Sequence, residues 1–324
     1  MKTIAILGAN GRLSNMAAKA FYRAGYHVVA ITRTGTAKGL PAAIEQRAAN
    51  ALDRQSLVQA THGSDFIFNG LNPIYTQWKK NLMPMGENVM AACREHGAIH
   101  LFPGNVYNYG HKIPPLVKDD TAISKTTRKG TLRCAVEDYF RQQSSSHGVQ
   151  TIILRAGDFY GGKMPGLWFD LAIAAKMKKG VFTYPGPMNV VHSWAYLPDL
   201  ADSFVQLAAH ADELSPFEQF LFPGHAMTGN EMKHHCEVAI GSDLKRANVP
   251  WLLFRLGALV VPMLREVCEM SYLWKEPHAL DGHKLEVLIG AIPITDTQTA
   301  IATSLAELGV IAPAVRPENL PVVA

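Results

Sequence analysis

Cysteine is scarce in this chain of 324 residues. Its four cysteines, Cys93, Cys134, Cys236 and Cys268, stand far apart and form no CxxC pair. That spacing argues against a zinc ribbon and a disulfide framework and fits a reducing compartment. Charge is also sparse: 18% of residues are charged, and 31 Lys and Arg against 27 Asp and Glu leave a formal +4. So mild a balance gives no footprint for nucleic acid. Long apolar runs are missing too. The most apolar stretch, Trp251 to Trp274, is broken by Arg255, Pro262, Arg265 and Glu266, short of the roughly 18 uninterrupted apolar residues of a membrane span. The opening Met1-Lys2-Thr3-Ile4-Ala5-Ile6-Leu7-Gly8 is too short for a signal-peptide core and predicts a strand. A cytoplasmic protein is expected, with neither membrane nor nucleic acid as partner. Two catalytic signatures are absent as well, the Gly-x-Ser-x-Gly elbow and the phosphate loop ending in Gly-Lys-[Ser/Thr]. His234 and His235 beside Cys236 would point about 100° apart on a helix, which does not converge on a metal.

What is present is a regular alternation. Strands are predicted at Thr3–Leu7, His27–Thr32, Ile44–Ala48, Asp65–Asn69, Ala98–Phe102 and Gln150–Leu154. Amphipathic helices are predicted between them, at Leu13–Ala24, Gln55–Gly63 and Thr76–His96. This is the pattern of an α/β fold, a doubly wound parallel sheet covered by helices on both faces. Beyond Leu154, Gly161-Gly162 and Pro165 precede a predicted helix over Gly166–Lys179. A strand at Val190–Tyr196, a helix at Pro198–His210 and a mainly helical last hundred residues are expected after it. That half suits a smaller lobe capping the carboxyl edge of the sheet, where such folds bind ligands.

The strongest chemical signal is Gly8-Ala9-Asn10-Gly11-Arg12-Leu13-Ser14, directly between the first strand and the first helix. Gly8 permits the tight turn, Gly11 lets backbone approach a pyrophosphate, and the helix amino terminus, from Leu13 on, offers N–H groups. Ser14 stands where the third glycine of a dinucleotide loop is usual, and an ordinary glycine turn is the alternative reading. The first 60 residues hold eight Lys and Arg against Glu45 and Asp53, which suits an anionic ligand. The second strand ends Ile31-Thr32-Arg33-Thr34-Gly35, with no carboxylate to receive an adenosine ribose. Arg33, supported by Arg12, would instead pair with a 2′-phosphate. One charge-assisted contact is worth about 1.5–3 kcal/mol, roughly a 10- to 100-fold preference for NADP(H) over NAD(H), which also remains acceptable.

Taken together these residues resemble the extended short-chain dehydrogenase/reductase superfamily, in its NAD-dependent epimerase/dehydratase-like branch. Asn50-Ala51-Leu52-Asp53 resembles the turn that contacts adenine there, and Asn69-Gly70-Leu71-Asn72-Pro73 the loop after the fourth strand. Arg155-Ala156-Gly157-Asp158-Phe159-Tyr160-Gly161 resembles the loop that closes over the nicotinamide end. Tyr196-Leu197-Pro198-Asp199-Leu200-Ala201 and Leu288-Ile289-Gly290-Ala291-Ile292-Pro293 also fit the family. The resemblance implies a Rossmann domain over 1–155, with 181–210 returning to it. A smaller, mainly helical substrate-binding lobe would come from 156–180 and 211–324. Asn50, Ala51, Leu71 and Gly157 would then join Gly8, Asn10, Gly11, Arg12, Leu13 and Arg33 around the cofactor.

The catalytic positions depart from that pattern. Redox members use a serine after the fifth strand and a Tyr-x-x-x-Lys pair on the next helix. Alignment puts Pro103 at the serine, Lys129 at the tyrosine and Arg133 at the lysine. Three readings follow. Tyr107, with Lys129 and Arg133, could supply the proton and hold the cofactor ribose. The chain could bind the nucleotide without turning it over. Or Lys129 and Arg133 could be a solvated face, with Leu132, Val136 and Tyr139 as the apolar stripe and Glu137 paired to Arg133. On the substrate side, Tyr75 and Trp78 would lie at the pocket mouth. Asp158 could bind a hydroxyl, and His192 stands where sugar-nucleotide members carry an arginine for the diphosphate. Core packing is the alternative for Tyr75, Trp78 and His192. The reading expected is an NADP(H)-binding oxidoreductase or epimerase/dehydratase-like enzyme on a small polar carbonyl or hydroxyl compound. A non-catalytic NADP(H)-responsive sensor is the alternative, and a homodimer is compatible with either.

Overall fold

Strand and helix alternate through the first half because apolar runs bury on both sides while the helices between them bury one face. The computed structural model describes residues 1–163 and 166–312, so Pro165 and the 313–324 end of the expected lobe lie outside it. The chain runs β1 (Thr3–Leu7), α1 (Arg12–Arg23), β2 (His27–Thr32), β3 (Glu45–Ala48), α2 (Arg54–Ala60), β4 (Phe66–Asn69), α3 (Trp78–His96) and β5 (Ile99–Asn105). There follow β6 (Leu116–Val117), α4 (Arg128–His147), β7 (Thr151–Ala156) and β8 (Asp158–Tyr160). The next elements are β9 (Val181–Tyr184), β10 (Val191–Tyr196), α5 (Leu197–Ala209), β11 (Phe217–Leu221), β12 (His225–Thr228), α6 (Gly229–Ile240) and β13 (Lys245–Asn248). The last described are α7 (Trp251–Gly257), α8 (Pro262–Glu269), β14 (Ala279–Leu280), α9 (His283–Ile289) and α10 (Thr297–Glu307).

Seven parallel strands form the main sheet in the order β11-β7-β5-β4-β1-β2-β3. Strand order reverses between β1 and β4, which opens a crevice at their carboxyl ends. One face packs under α1 and α5, with Phe21, Phe68, Phe204 and Leu207 in its core; the other packs under α2, α3 and α4, with Ile67, Val89, Phe102 and Phe140. Of the range 181–210, α5 packs on the main sheet beside α1, with proline in its first turn, whereas β9 and β10 belong to smaller sheets.

Two expectations are corrected. Residues 166–179 do not form one helix: a π-helical turn at Phe169–Ile173 and a 3-10 turn at Met177–Lys179 take their place. Strand β11, expected within the lobe, pairs with β7 as the seventh strand of the main sheet. Its local sequence does not tell which sheet it joins, because strand pairing is decided by long-range packing. Two smaller sheets, β12-β10-β8 and β13-β9, build the other half around Tyr184, Trp194 and Trp274.

The missing third glycine of the loop is explained by a compensation across the crevice. Ser14 turns its hydroxyl back to donate to the Leu7 carbonyl at 3.0 Å. Gly70, after β4, makes the room: a Cβ there would lie 1.9 Å from the Ser14 hydroxyl. Gly70→Ala is therefore expected to cost about 1–3 kcal/mol by overpacking. Adding Ser14→Gly should recover most of that loss in urea denaturation, whereas equal instability of single and double variants would disprove the pairing.

Candidate functional site

The crevice is lined first by the turn between β1 and α1. Gly8 has φ +68°, a conformation that favours glycine, and the Gly11 N–H donates to the Gly8 carbonyl at 2.6 Å. Gly11 caps α1 without a side chain and no acidic residue stands in the first turn, so the helix presents its N–H groups and positive end. Leu13 is buried in the core beneath. Asn10 braces the neighbouring loop, donating to the Thr36 carbonyl at 2.8 Å and accepting from the Lys38 N–H at 3.1 Å. Arg33 is exposed at the end of β2.

Arg12 is placed differently from the sequence expectation. Its guanidinium is withdrawn from solvent and pairs with Asp170 at 2.8 Å, across to the π-helical turn. That contact draws it away from a supporting role beside Arg33. Asn50 and Ala51 form the turn after β3: the Asn50 side chain accepts from the Leu52 N–H at 3.1 Å, and the Ala51 carbonyl accepts from Asn88 at 2.9 Å. Leu71 lies beside Gly8, and its N–H donates to the Asn69 side chain at 3.4 Å. Asn69 is steadied by His100 at 3.2 Å, a ring whose pKa burial lowers to about 3, so it stays neutral. Gly157 is demanded by packing, because a Cβ would sit 2.1 Å from the Ser193 carbonyl of β10.

At the far end of the crevice α4 sets the geometry. Thr127 caps it, accepting from the Gly130 N–H at 3.0 Å. Gly130 lets the helix press on the 3-10 segment Val106–Lys112, since a Cβ there would lie 2.4 Å from the Tyr107 carbonyl. Lys129 and Arg133 are thereby brought to Tyr107 and Tyr75, and both are buried; the solvated-face reading is overturned. Lys129 Nζ donates to the Glu266 carbonyl at 3.0 Å, to Glu266 Oε2 at 2.6 Å and to Glu269 Oε2 at 2.8 Å. An ammonium has three N–H donors, and these partners account for all of them. Arg133 stacks over Trp78 and Phe102, 5.1 Å from each ring centre, and its Nε and Nη1 are buried without a partner. Glu137 does not pair with it. That carboxylate is taken instead by Arg155 at 2.7 Å and Asn108 at 2.7 Å.

The Tyr75 and Tyr107 hydroxyls hydrogen-bond at 2.9 Å. Burial pushes both phenols above their ordinary pKa, Tyr107 well above. Asp158 reaches His192 at 2.9 Å, and the His192 ring stacks on Trp274 with centroids 4.3 Å apart. His278 meets the same ring edge-on, and burial foremost lowers its pKa to about 3. His192 Nδ1 and His278 Nε2 are buried without partners. Trp78 belongs to the core: it is buried, its indole N–H donates to the Pro73 carbonyl at 2.9 Å, and it packs against Tyr75. Sequence reasoning missed Asp170, Glu266, Glu269, Trp274 and His278. Glu266 and Glu269 did carry a signal, two carboxylates one helical turn apart in the most apolar stretch of the chain.

Compared with protein families, residues 1–305 match the NmrA-like family. The chain belongs to that family. Its fold is that of the extended short-chain dehydrogenases, seen in a GalE-like L-threonine dehydrogenase from Cupriavidus necator (holo form), at 18% identity, TM-score 0.76, 95% of this chain and 100% of that one. A UDP-glucose 4-epimerase from Brucella ovis in complex with NAD is similar at 14% identity and TM-score 0.74, over 95% and 99% of the two chains. Another, from Bifidobacterium longum in complex with NAD+ and UDP, is similar at 16% identity and TM-score 0.72, over 95% and 98%. No curated protein matches the sequence.

In this NmrA-like chain, removing the buried ammonium leaves the Glu266 and Glu269 carboxylates to Arg128, a partner more exposed than Lys129. Lys129→Met is expected to cost about 3–5 kcal/mol in urea denaturation. Burial raises the Glu266 pKa, but hydrogen bonds from Lys129 and Arg128 outweigh it and hold it below the ordinary value. A lowered carboxylate pKa contributes stability that is present above the unfolded value and lost as pH falls through the folded one. The wild type should therefore lose stability more steeply below pH ~4.5 than Lys129→Met. Parallel pH curves for the two proteins would disprove the clamp.

Proposed function

We propose that the protein binds NADP(H) in the crevice between β1 and β4 and holds it as a nucleotide-responsive protein, without the Tyr-x-x-x-Lys proton relay. One observation carries this reading: the N–H donors of Lys129 are committed to Glu266 and Glu269. The side chain at the general-acid position has no donor left for a substrate. The binding half, by contrast, is supported throughout. Gly8, Gly11 and the N–H groups from Leu13 onward suit a pyrophosphate, and Asn10 braces the neighbouring loop. Asn50 and Ala51 suit the adenine side, Leu71 and Gly157 the walls, and exposed Arg33 a 2′-phosphate. The unpartnered Nε and Nη1 of Arg133 are donors that a ribose hydroxyl would satisfy. When bound, the nicotinamide supplies hydride chemistry. The lobe senses occupancy through its ties to the cradle, Arg12 to Asp170 and Lys129 to Glu266 and Glu269. In this reading 1–155 and α5 form the nucleotide half, with β11 added to it.

A second reading rests on the Tyr75–Tyr107 contact beside Asp158 and His192. There the chain is an oxidoreductase or epimerase-like enzyme on a small polar carbonyl or hydroxyl compound, with Tyr107 as proton donor. The raised Tyr107 pKa weighs against it, because general acids work best near the operating pH. Titration followed by tryptophan fluorescence tests both. NADPH should bind in the micromolar range, and Arg33→Glu should weaken NADPH at least tenfold while leaving NADH unchanged. Arg133→Met should weaken both nucleotides roughly 10- to 100-fold. Binding of neither nucleotide overturns the proposal. NADPH consumption over a carbonyl panel that Tyr107→Phe abolishes would establish the second reading instead.

A further inference from the structure

Away from the crevice, α7 and α8 form a hairpin with an unusual surface. None of the seven residues of α7 is buried. Leu252, Leu253, Leu256, Leu259, Val260 and Val261 are all exposed, Leu259 by 83% and Val260 by 81%. Soluble surfaces carry scattered apolar residues but rarely such a contiguous run. The run is held out by fixed ends. At one, the Trp251 indole donates to the Pro185 carbonyl at 2.7 Å and packs on Trp168. At the other, Glu266 and Glu269 grip Lys129. The two helices touch, since a Cβ on Gly257 would lie 2.6 Å from Leu264.

The Glu266 and Glu269 carboxylates of the hairpin are turned to Lys129, and the charges on its outer stretch are cations. From Leu244 to Arg265 the chain carries Lys245, Arg246, Arg255 and Arg265 and no carboxylate. All four cations are exposed. An apolar tip flanked by cations has the chemistry of a surface that rests in the headgroup layer of an anionic bilayer. We propose that the α7–α8 hairpin docks this protein on an anionic lipid surface, with Leu256 to Val261 entering the acyl boundary and Arg255 and Arg265 meeting lipid phosphates. Among the described residues no helix is long and apolar enough to cross a membrane, so the contact is with one leaflet. A second copy is the poorer occupant. Hairpin against hairpin across a two-fold axis would bring Arg255 and Arg265 together, while the hairpin's carboxylates, Glu266 and Glu269, are already engaged by Lys129 and Arg128.

The full chain should float with phosphatidylcholine vesicles containing phosphatidylglycerol, stay behind with phosphatidylcholine alone, and be released by high salt. Arg255→Glu with Arg265→Glu should weaken binding at least tenfold, at roughly fivefold for each cation lost. Leu256→Ser, Leu259→Ser and Val260→Ser combined should abolish it. These side chains are exposed, so each variant should keep the wild-type melting temperature, which confirms that it is folded. Failure to float with the anionic vesicles overturns the proposal. So does a dimer, seen by light scattering, that the triple serine variant splits, because a second copy then covers the face.

Discussion

An ammonium withdrawn from water must be matched by acceptors, and Lys129 finds all of its acceptors on α8. Helix α4 brings it there because Thr127 caps the helix and Gly130 lets it press on the segment carrying Tyr107. The match has two consequences. It ties the lobe to the Rossmann half through groups too buried for solvent to screen. It also leaves the Lys129 ammonium with no donor for another partner.

Arg133, one helical turn on, is the complement of this arrangement. It lies between the rings of Trp78 and Phe102 and keeps two N–H groups unsatisfied. Buried donors without acceptors are costly, and the proposed nucleotide would relieve that cost. The glycine turn stands at one end of the crevice and Arg133 at the other, which is the arrangement on which the proposed binding role rests. The lobe adds a second link at Arg12 and Asp170. Helix α8 therefore meets the Rossmann half with its carboxylates, while the hairpin it shares with α7 presents an apolar, basic surface outward.

Legibility from the sequence followed the range of the interactions involved. β1, β2 and β10 lie close to their predicted bounds because apolar periodicity is local. The glycine turn was legible because its conformation needs the backbone freedom of Gly8. The helix expected over 166–179 was not, since that segment is shaped by Asp170, whose carboxylate accepts from the Gly166 and Leu167 N–H groups and pairs with Arg12. Glu137 looked like a partner for Arg133 at helical spacing, yet Arg155 on β7 claims it. A buried arginine that also donates to the Asn105 carbonyl and to Gln219 outcompetes an i,i+4 pair on one helix.

The sequence by itself determined the alternating architecture, the dinucleotide-type turn, the basic strand end at Arg33 and the loss of Tyr-x-x-x-Lys. These are properties of neighbours along the chain, where spacing and residue type are enough. Only the tertiary structure decided which groups meet: Ser14 with Gly70, Arg12 with Asp170, Lys129 with Glu266 and Glu269, Asp158 with His192. Those contacts join residues from 34 to 158 positions apart, and their partners are selected by burial, which no local pattern records.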